Sequence, residues 1–235
     1  MAETTSKLEL SIICPTLNEA KSLPLLIADI FLWPYKLDLQ IVDGGSTDLT
    51  TLIAKLGGAN ISQVLEANRG LQLDLGASQA KGEWFLFLHS DSRLPKNWAR
   101  TLENIIKDPE SLKSAWFFDF KVNKKSLELF FLEILVNIRS SIFKTPYGDQ
   151  GLLINKDLYE KIGGYKHLHI MEDLDFITRI KKKVKIKRLK IPLYTNSRKW
   201  GKVNIVKRSL INARFRFRWR QGESSKSLAK DYYKD

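Results

Sequence analysis

The sequence has almost no cysteine: the only one among its 235 residues is Cys14. A single thiol cannot form an intramolecular disulfide, which fits a reducing compartment, and its place in an apolar run favours a buried side chain over a nucleophile. The chain also lacks the uncharged apolar stretch of about 18 residues that a membrane-spanning helix needs. The longest apolar segment, residues 127–143, contains Glu128, Glu133 and Arg139. No signal-peptide layout is present at the start. We therefore expect a cytoplasmic protein, with peripheral attachment to the inner face of the membrane left open.

Acidic residues are missing from residues 176–222, which contain 17 lysines and arginines. Because the net charge of the whole chain is +13, the remainder is slightly acidic. Such a basic block indicates a polyanionic partner, which can be a nucleic acid, an anionic membrane surface or a diphosphate ligand.

Residues 204–235 form a basic, aromatic C-terminal tail that we predict to be helical. Helical spacing predicts that Leu210 and Phe217 dock on the domain, while Phe215 and Trp219 face outward among arginines. An outward aromatic and basic face suits a membrane with anionic lipids, and it equally suits RNA. A merely solvated tail is the third alternative.

Short apolar runs alternate with helix-like segments in the first half of the chain, which is typical of βαβ units and a mostly parallel sheet. The second half breaks this rhythm. Strands are predicted over residues 9–14, 39–42, 61–65, 85–88, 115–122, 152–154 and 184–191. Walker, Rossmann-glycine and zinc-finger spacings are all absent, so no motif supports the classes that depend on them.

Polar and loop-forming residues directly follow the first two predicted strands. These residues are Pro15, Thr16, Asn18, Glu19, Asp43 and Ser46. Open α/β sheets bind ligands at the carboxyl ends of their strands. Asp43 can accept a hydrogen bond from a base N–H or a ribose hydroxyl, and the glycines after it let the backbone approach a ligand. The alternative is that Asp43 and Ser46 cap the next helix.

Four further segments carry candidate functional residues. Asp91 follows the apolar strand at the same sheet edge and suits a divalent cation that takes its other ligands from a diphosphate, although it can also be a turn former. Arg69 and Gln72 share one face of a helix. Glu172 and Asp173 start an amphipathic helix, where acids usually cap. The fourth segment, Gly148-Asp149-Gln150-Gly151, is a compact polar turn.

The segments LSIICPTLNE and LQIVDGGSTD together resemble the nucleotide-sugar half of a GT-A glycosyltransferase, glycosyltransferase family 2. WFLFLHSDSRLP fits its metal-binding strand, Arg69, Gln72 and Gly76 fit an Arg-x-x-Gln…Gly pattern, and the motifs at Gly148 and Glu172 fit its acceptor half. The resemblance implies a GT-A fold, with a Rossmann-like, mostly parallel central sheet flanked by helices. We expect one catalytic domain over residues 1–203, with a nucleotide-sugar half near 8–95 and an acceptor half near 112–203.

The resemblance also implies an inverting transferase that uses a UDP- or GDP-sugar donor. Asp91 matches the second Asp of the family's Asp-x-Asp metal motif, and His89 stands at the first position, as in a bacterial subgroup. Mn²⁺ or Mg²⁺ is the implied cofactor, and an imidazole ligand favours Mn²⁺. Asp173 is the implied general base, while Glu172 contacts acceptor hydroxyls or raises the pKa of Asp173.

Additional contacts are assigned by the same resemblance. Arg69 and Arg198 are expected near the donor phosphates, and Gln72 near ribose or sugar hydroxyls. The sugar or acceptor site is expected to contain Gly148, Asp149, Gln150 and Trp200. The acceptor itself stays open, and a lipid-linked acceptor is one option.

Two other classes remain as alternatives at this stage. A nucleotidyltransferase of related α/β fold would normally carry a Gly-rich phosphate loop before the first helix, and the segment PTLNEAKS lacks one. A nucleic-acid-binding protein is supported only by the basic block, and it gives the acids at the sheet edge no role. We therefore expect a nucleotide-sugar partner and no nucleic acid.

Overall fold

The computed structural model describes residues 10–196 and 205–232 and forms a sheet with helices on both faces. Its strands are β1 (Leu10–Thr16), β2 (Leu37–Asp43), β3 (Asn60–Gln63), β4 (Trp84–Phe87), β5 (Ser114–Val122), β6 (Leu152–Asn155) and β7 (Lys185–Thr195). Its helices are α1 (Leu23–Ile30), α2 (Thr50–Leu56), α3 (Arg69–Gln79), α4 (Trp98–Ile106), α5 (Leu127–Ile142), α6 (Lys156–Ile162), α7 (Glu172–Lys181), α8 (Ile205–Arg220) and α9 (Ser225–Tyr232). Each strand predicted from the sequence is present, with shifted ends.

The seven strands have the order β3-β2-β1-β4-β6-β5-β7. β1 pairs in parallel with β2 and β4, and β2 with β3, whereas β6 runs antiparallel to both of its neighbours. The predicted mostly parallel α/β sheet is therefore confirmed. Because parallel strands end at one edge, the residues after β1, β2 and β4 meet there.

Alternation along β1 supplies both hydrophobic cores. Ile12 packs on one face with Leu23 of α1 and Trp98 of α4. Ile13 packs on the other face, in the cluster that contains Phe176 of α7. Each such side chain contributes about 1.5–3 kcal/mol when it is fully buried. The sheet edge is thus fixed between two layers of helices.

The tail helices α8 and α9 pack on the loop that precedes α7. Phe215 and Leu228 form a buried cluster with Ile170 of that loop. Phe215 is only 2% exposed, whereas Phe217 is 63% exposed. The predicted orientation of the tail helix is therefore wrong: its docking face contains Phe215 and the half-buried Trp219, and Leu210 and Phe217 face outward. The helical spacing alone did not show whether the face with Phe215 or the face with Phe217 packs on the domain.

No helix in the described part of the chain combines the length and the apolar character needed to cross a membrane.

Candidate active site

The loop after β2 is built around the buried carboxylate of Asp43. Its Oδ1 accepts hydrogen bonds from Thr16 Oγ1 (3.2 Å) and Ser46 Oγ (2.5 Å), and its Oδ2 accepts from the amides of Gly45 (3.0 Å) and Ser46 (2.7 Å). Helix α2 begins later, at Thr50. The helix-capping alternative for Asp43 and Ser46 is therefore wrong, and Asp43 instead shapes the loop between the ends of β1 and β2.

The loop after β1 is locked to the loop after β2 by Asn18 and Glu19. Asn18 has a positive φ of 54°, which asparagine tolerates better than most residues. The side-chain Oδ1 of Asn18 accepts a hydrogen bond from the backbone N–H of Thr47 (2.9 Å). The backbone N–H of Asn18 donates to Ser46 Oγ (2.8 Å). The amide of Glu19 donates to Thr50 Oγ1 (2.8 Å). Pro15 lies buried at the end of β1, so the predicted cluster at this edge assembles.

Gln72 lies beneath this edge rather than on its surface. Its Nε2 donates to the carbonyl oxygens of Thr16 (3.1 Å) and Val42 (2.8 Å), and the side chain is buried. This placement corrects the expected contact with ribose or sugar hydroxyls, because the side chain is buried and its Nε2 donates to carbonyl oxygens at the ends of two strands. Burial of a polar side chain requires such partners, and the sequence does not show where they are.

The segment after β4 places Asp91 inside the sheet edge and His89 on the cleft side. Asp91 is buried, and its charge and that of Glu19 raise the pKa of the Cys14 thiol, although burial is the larger cause. Cys14 is therefore a protonated buried thiol, as expected. The half-buried His89 ring lies against Gly148, where an added Cβ would be 2.7 Å from His89 Nε2.

Asp173 in the first turn of α7 is held by two backbone amides. Gly148 N donates to its Oδ2 (3.0 Å), and Leu174 N donates to its Oδ1 (2.7 Å). Met171, with a φ of 67°, turns the chain into the helix. The N-terminus of a helix favours a carboxylate because its dipole is positive there.

Glu172 forms an ion pair with Arg69 of α3. The distance from Arg69 Nη1 to Glu172 Oε1 is 3.2 Å, and Glu172 is buried. Burial raises the pKa of Glu172 above its ordinary value, Arg69 opposes that increase, and Asp173 adds to it. The two predicted acids thus have different environments, since Glu172 is buried against a cation and Asp173 is half-buried on backbone amides.

Gln150 does not face the site, which corrects its expected role. Its Oε1 accepts from Ser140 Oγ (2.5 Å) and Arg139 Nη2 (3.3 Å), and its Nε2 donates to the carbonyl of Phe118 (3.1 Å). The side chain is fully buried and connects the turn to α5 and β5. Its neighbour Asp149 does line the cleft.

These elements surround a cleft of about 420 Å³. Helices α3 and α7 and the loops after β4 and before β6 form its wall, with Arg69, His89, Tyr147, Asp149, Glu172 and Asp173. The tail contributes Asn212, Arg216 and Tyr232. Asp43 and Asp91 are buried and are not among the residues that line it.

The sequence did not predict the cleft residues Tyr147, Asn212, Arg216 and Tyr232. Tyr147 carries the guanidinium of Arg139 over its ring at 3.8 Å, and that of Arg216 at 5.6 Å. The one available signal was Arg139, the only basic residue of the apolar helix α5. Arg198 and Trp200, predicted for the phosphate and acceptor contacts, lie outside the described residues.

The sequence model of the family described as Glycosyl transferase family 2 matches residues 11–129. A PGL/p-HBAD biosynthesis glycosyltransferase of Mycobacterium bovis is 30% identical over 182 residues, which cover 72% of this chain and 68% of that protein.

Solved structures with the same fold include S. aureus TarS in complex with UDP-GlcNAc, with a TM-score of 0.66 and 21% identity. This match covers 81% of the chain and 59% of that structure. A second is the mannosyltransferase PcManGT from Pyrobaculum calidifontis in complex with GDP-Man and Mn²⁺, with a TM-score of 0.62, 20% identity, and 82% and 58% coverage. The chain thus spans about three fifths of the length of both structures. At this identity they establish the GT-A fold alone.

Proposed function

Because the chain belongs to glycosyltransferase family 2, we propose that it moves a sugar from a nucleotide-sugar donor to an acceptor hydroxyl with inversion at the anomeric carbon. The observation that carries this proposal is the position of Asp173. Its carboxylate is fixed by the Gly148 amide at the wall of a cleft that also contains Glu172 and His89. The expected class, a glycosyltransferase, is confirmed by the family, and the reaction details are our proposal.

Asp173 acts in this proposal as the general base. Its two oxygens accept one backbone hydrogen bond each, which leaves lone pairs for an acceptor hydroxyl. The acceptor oxygen attacks the anomeric carbon while Asp173 takes its proton, and the nucleoside diphosphate leaves with the electrons of the broken bond. General-base catalysis is typically worth about 10²–10⁴-fold in rate.

Asp91 and His89 are the proposed ligands of Mn²⁺ or Mg²⁺. The described residues contain no group of three or more metal-ligating side chains. One carboxylate and one imidazole nevertheless fit an ion that receives its other ligands from a diphosphate and water. When it is bound, the cation stabilises negative charge on the leaving diphosphate. PcManGT, which shares the fold, was crystallised with Mn²⁺.

The donor is proposed to be a UDP- or GDP-sugar, since the two structures with this fold hold UDP-GlcNAc and GDP-Man. Asp43 is the proposed nucleoside contact. In the complex, a donor group of the nucleoside would replace the Ser46 hydroxyl as the hydrogen-bond partner of Asp43 Oδ1. Arg69 and Arg198 are the proposed phosphate contacts.

The acceptor side of the proposal contains Asp149 and Trp200, and Tyr147 joins them from the structure. A lipid-linked acceptor and a cytoplasmic protein held peripherally on the inner membrane face remain part of the proposal. So does a single catalytic domain over residues 1–203. No specific observation favours a nucleic-acid partner or nucleotidyl transfer.

A screen of UDP- and GDP-sugars tests this function. Thermal unfolding and donor hydrolysis are measured with Mn²⁺, and again with EDTA as the control. We expect one donor class to raise the unfolding temperature, with slow release of free sugar and nucleoside diphosphate that EDTA abolishes. If no nucleotide sugar stabilises the protein, or if pyrophosphate is released instead of sugar, the proposed function is wrong.

A further inference from the structure

The outer face of α5 is apolar and exposed to solvent. Its residues recur at helical spacing along one side: Leu127, Phe131, Ile134, Leu135, Ile138 and Ile142. Phe131 is 61% exposed, Leu135 65% and Ile142 67%. The inner face of the same helix already has a partner, because Leu129 and Leu132 pack with Phe120 of β5. A contiguous exposed apolar face of this kind marks an interaction site.

The dimensions of α5 suit a helix that lies on a membrane and does not cross it. A helix of 16 residues is about 24 Å long, whereas a span needs about 20 apolar residues. One side of α5 is already fixed to the sheet through Leu129 and Leu132. Only the outer side is left to enter lipid, which is the geometry of an interfacial helix.

Positive charge flanks both ends of this apolar face. Lys124 and Lys125 are exposed before the helix, and Lys144 is exposed after it. Lys181 donates to the carbonyl of Phe143 (2.5 Å) at the same C-terminal end. An anionic lipid surface complements an apolar stripe with a lysine group at each end. A second copy packed antiparallel on this face would instead bring the lysine groups of both copies together, which is unfavourable.

The tail is less suited to this role than the sequence predicts. Phe215 is buried, Arg216 lines the cleft, and Arg218 is paired with Glu223 and Asp231. These contacts occupy Phe215 and two of the four arginines that surround it in the sequence. The other two of the four arginines between residues 214 and 220, Arg214 and Arg220, are exposed.

We propose that the outer face of α5 docks the protein on an anionic lipid bilayer. The helix also reaches the cleft, because Arg139 of α5 lies over the ring of Tyr147, which lines it. Docking through α5 therefore brings the cleft wall next to the bilayer, where a lipid-linked molecule can enter it. The proposal does not depend on the identity of the sugar donor.

Vesicle flotation tests the proposal with two matched variants of the full chain. The first, Phe131→Gln/Leu135→Gln/Ile142→Gln, changes the outer face of α5. The control, Phe31→Gln/Leu52→Gln/Leu56→Gln, changes comparably exposed apolar residues of α2 and of the turn after α1. We expect wild type and control to bind vesicles of equal parts phosphatidylglycerol and phosphatidylcholine, and the α5 variant to lose roughly tenfold or more in affinity. Lys124→Gln/Lys125→Gln should weaken binding to these vesicles but not to pure phosphatidylcholine.

A second measurement uses single substitutions, so its result does not depend on the folding of a triple variant. Leu135→Cys and, as control, Leu52→Cys are labelled with an environment-sensitive fluorophore, while the buried Cys14 stays unlabelled. Phosphatidylglycerol vesicles should shift the emission of the label at 135 to the blue and leave the label at 52 unchanged. The proposal is wrong if wild type ignores the vesicles, if the control variant alone loses binding, or if the α5 variant only converts a dimer into a monomer.

Discussion

The backbone amide of Gly148 donates a 3.0 Å hydrogen bond to Asp173 Oδ2. The same glycine lies against the ring of His89, so closely that a Cβ would stand 2.7 Å from Nε2. One turn therefore sets the positions of the proposed base and of a proposed metal ligand. The spacing between the metal side and the acceptor side of the site depends on this residue having no side chain.

Gly148→Ala should weaken the Mn²⁺ dependence of nucleotide binding. The new methyl group pushes the His89 ring away, and a disturbed metal environment typically costs roughly 10- to 100-fold in metal affinity. The unfolding temperature should change little, since the clash involves the far end of a side chain. Calorimetry with nucleoside diphosphate at several Mn²⁺ concentrations measures the effect. An unchanged Mn²⁺ dependence would remove His89 from the metal site.

Asp91→Asn should abolish the part of nucleoside diphosphate binding that depends on Mn²⁺. An amide oxygen is a weaker ligand than a carboxylate for this hard cation. Calorimetry with and without Mn²⁺ separates the two contributions, and the affinity without metal is the internal control. Equal Mn²⁺ enhancement in variant and wild type would contradict the assignment.

Arg69→Gln should destabilise the protein more at neutral than at acidic pH. Burial already raises the pKa of Glu172, and loss of the Arg69 cation raises it further. A carboxyl with a raised folded-state pKa stabilises the fold fully below its unfolded pKa of about 4.3, and this contribution is lost as pH rises through the folded pKa. The cost of Arg69→Gln should therefore grow from pH 4 to pH 7, where we expect about 1–3 kcal/mol.

Denaturant unfolding at several pH values measures this cost. Glu172→Gln provides the control background, because the carboxyl that titrates is absent from it. In that background the cost of Arg69→Gln should no longer depend on pH. A cost that is constant across pH in the wild-type background would show that the ion pair contributes nothing to the folded state.

Phe215→Ala should loosen the tail, whereas Phe217→Ala should not. Phe215 fills a buried cluster with Ile170, and removal of a buried phenylalanine costs about 3–5 kcal/mol. Phe217 is exposed, so its loss should stay within about 0.5 kcal/mol. Hydrogen exchange in α8 and α9 measures the difference. Equal protection in the two variants would contradict the packing of the tail on the loop before α7.

The sheet and its functional edge could be predicted from the sequence because they depend on local patterns. Apolar runs that end at Cys14, Val42 and Leu88 are readable as strands, and parallel strands bring their ends together. The strand order and the antiparallel β6 could not be read, since pairing is a long-range property.

Side-chain orientation was the part that could not be predicted. Gln72 and Gln150 were expected to meet the ligand, but backbone carbonyls and Ser140 occupy them, and no local signal shows such partners. The tail helix has aromatic residues on opposite sides, so its spacing allowed either face to dock. The face with Phe215 docks because it packs with Ile170, a residue distant in the sequence.

Asp173→Asn tests whether Asp173 is the base of a sugar transfer. Asp157→Asn is the matched control, because Asp157 also lies in the first turn of a helix but is exposed and is not among the residues that line the cleft. Turnover and donor affinity are measured together with the donor found by the screen. We predict that Asp173→Asn lowers turnover by about 10²–10⁴-fold while donor affinity stays near wild type, and that Asp157→Asn changes neither. Unchanged turnover, or an equal loss of donor affinity and turnover, would contradict this account.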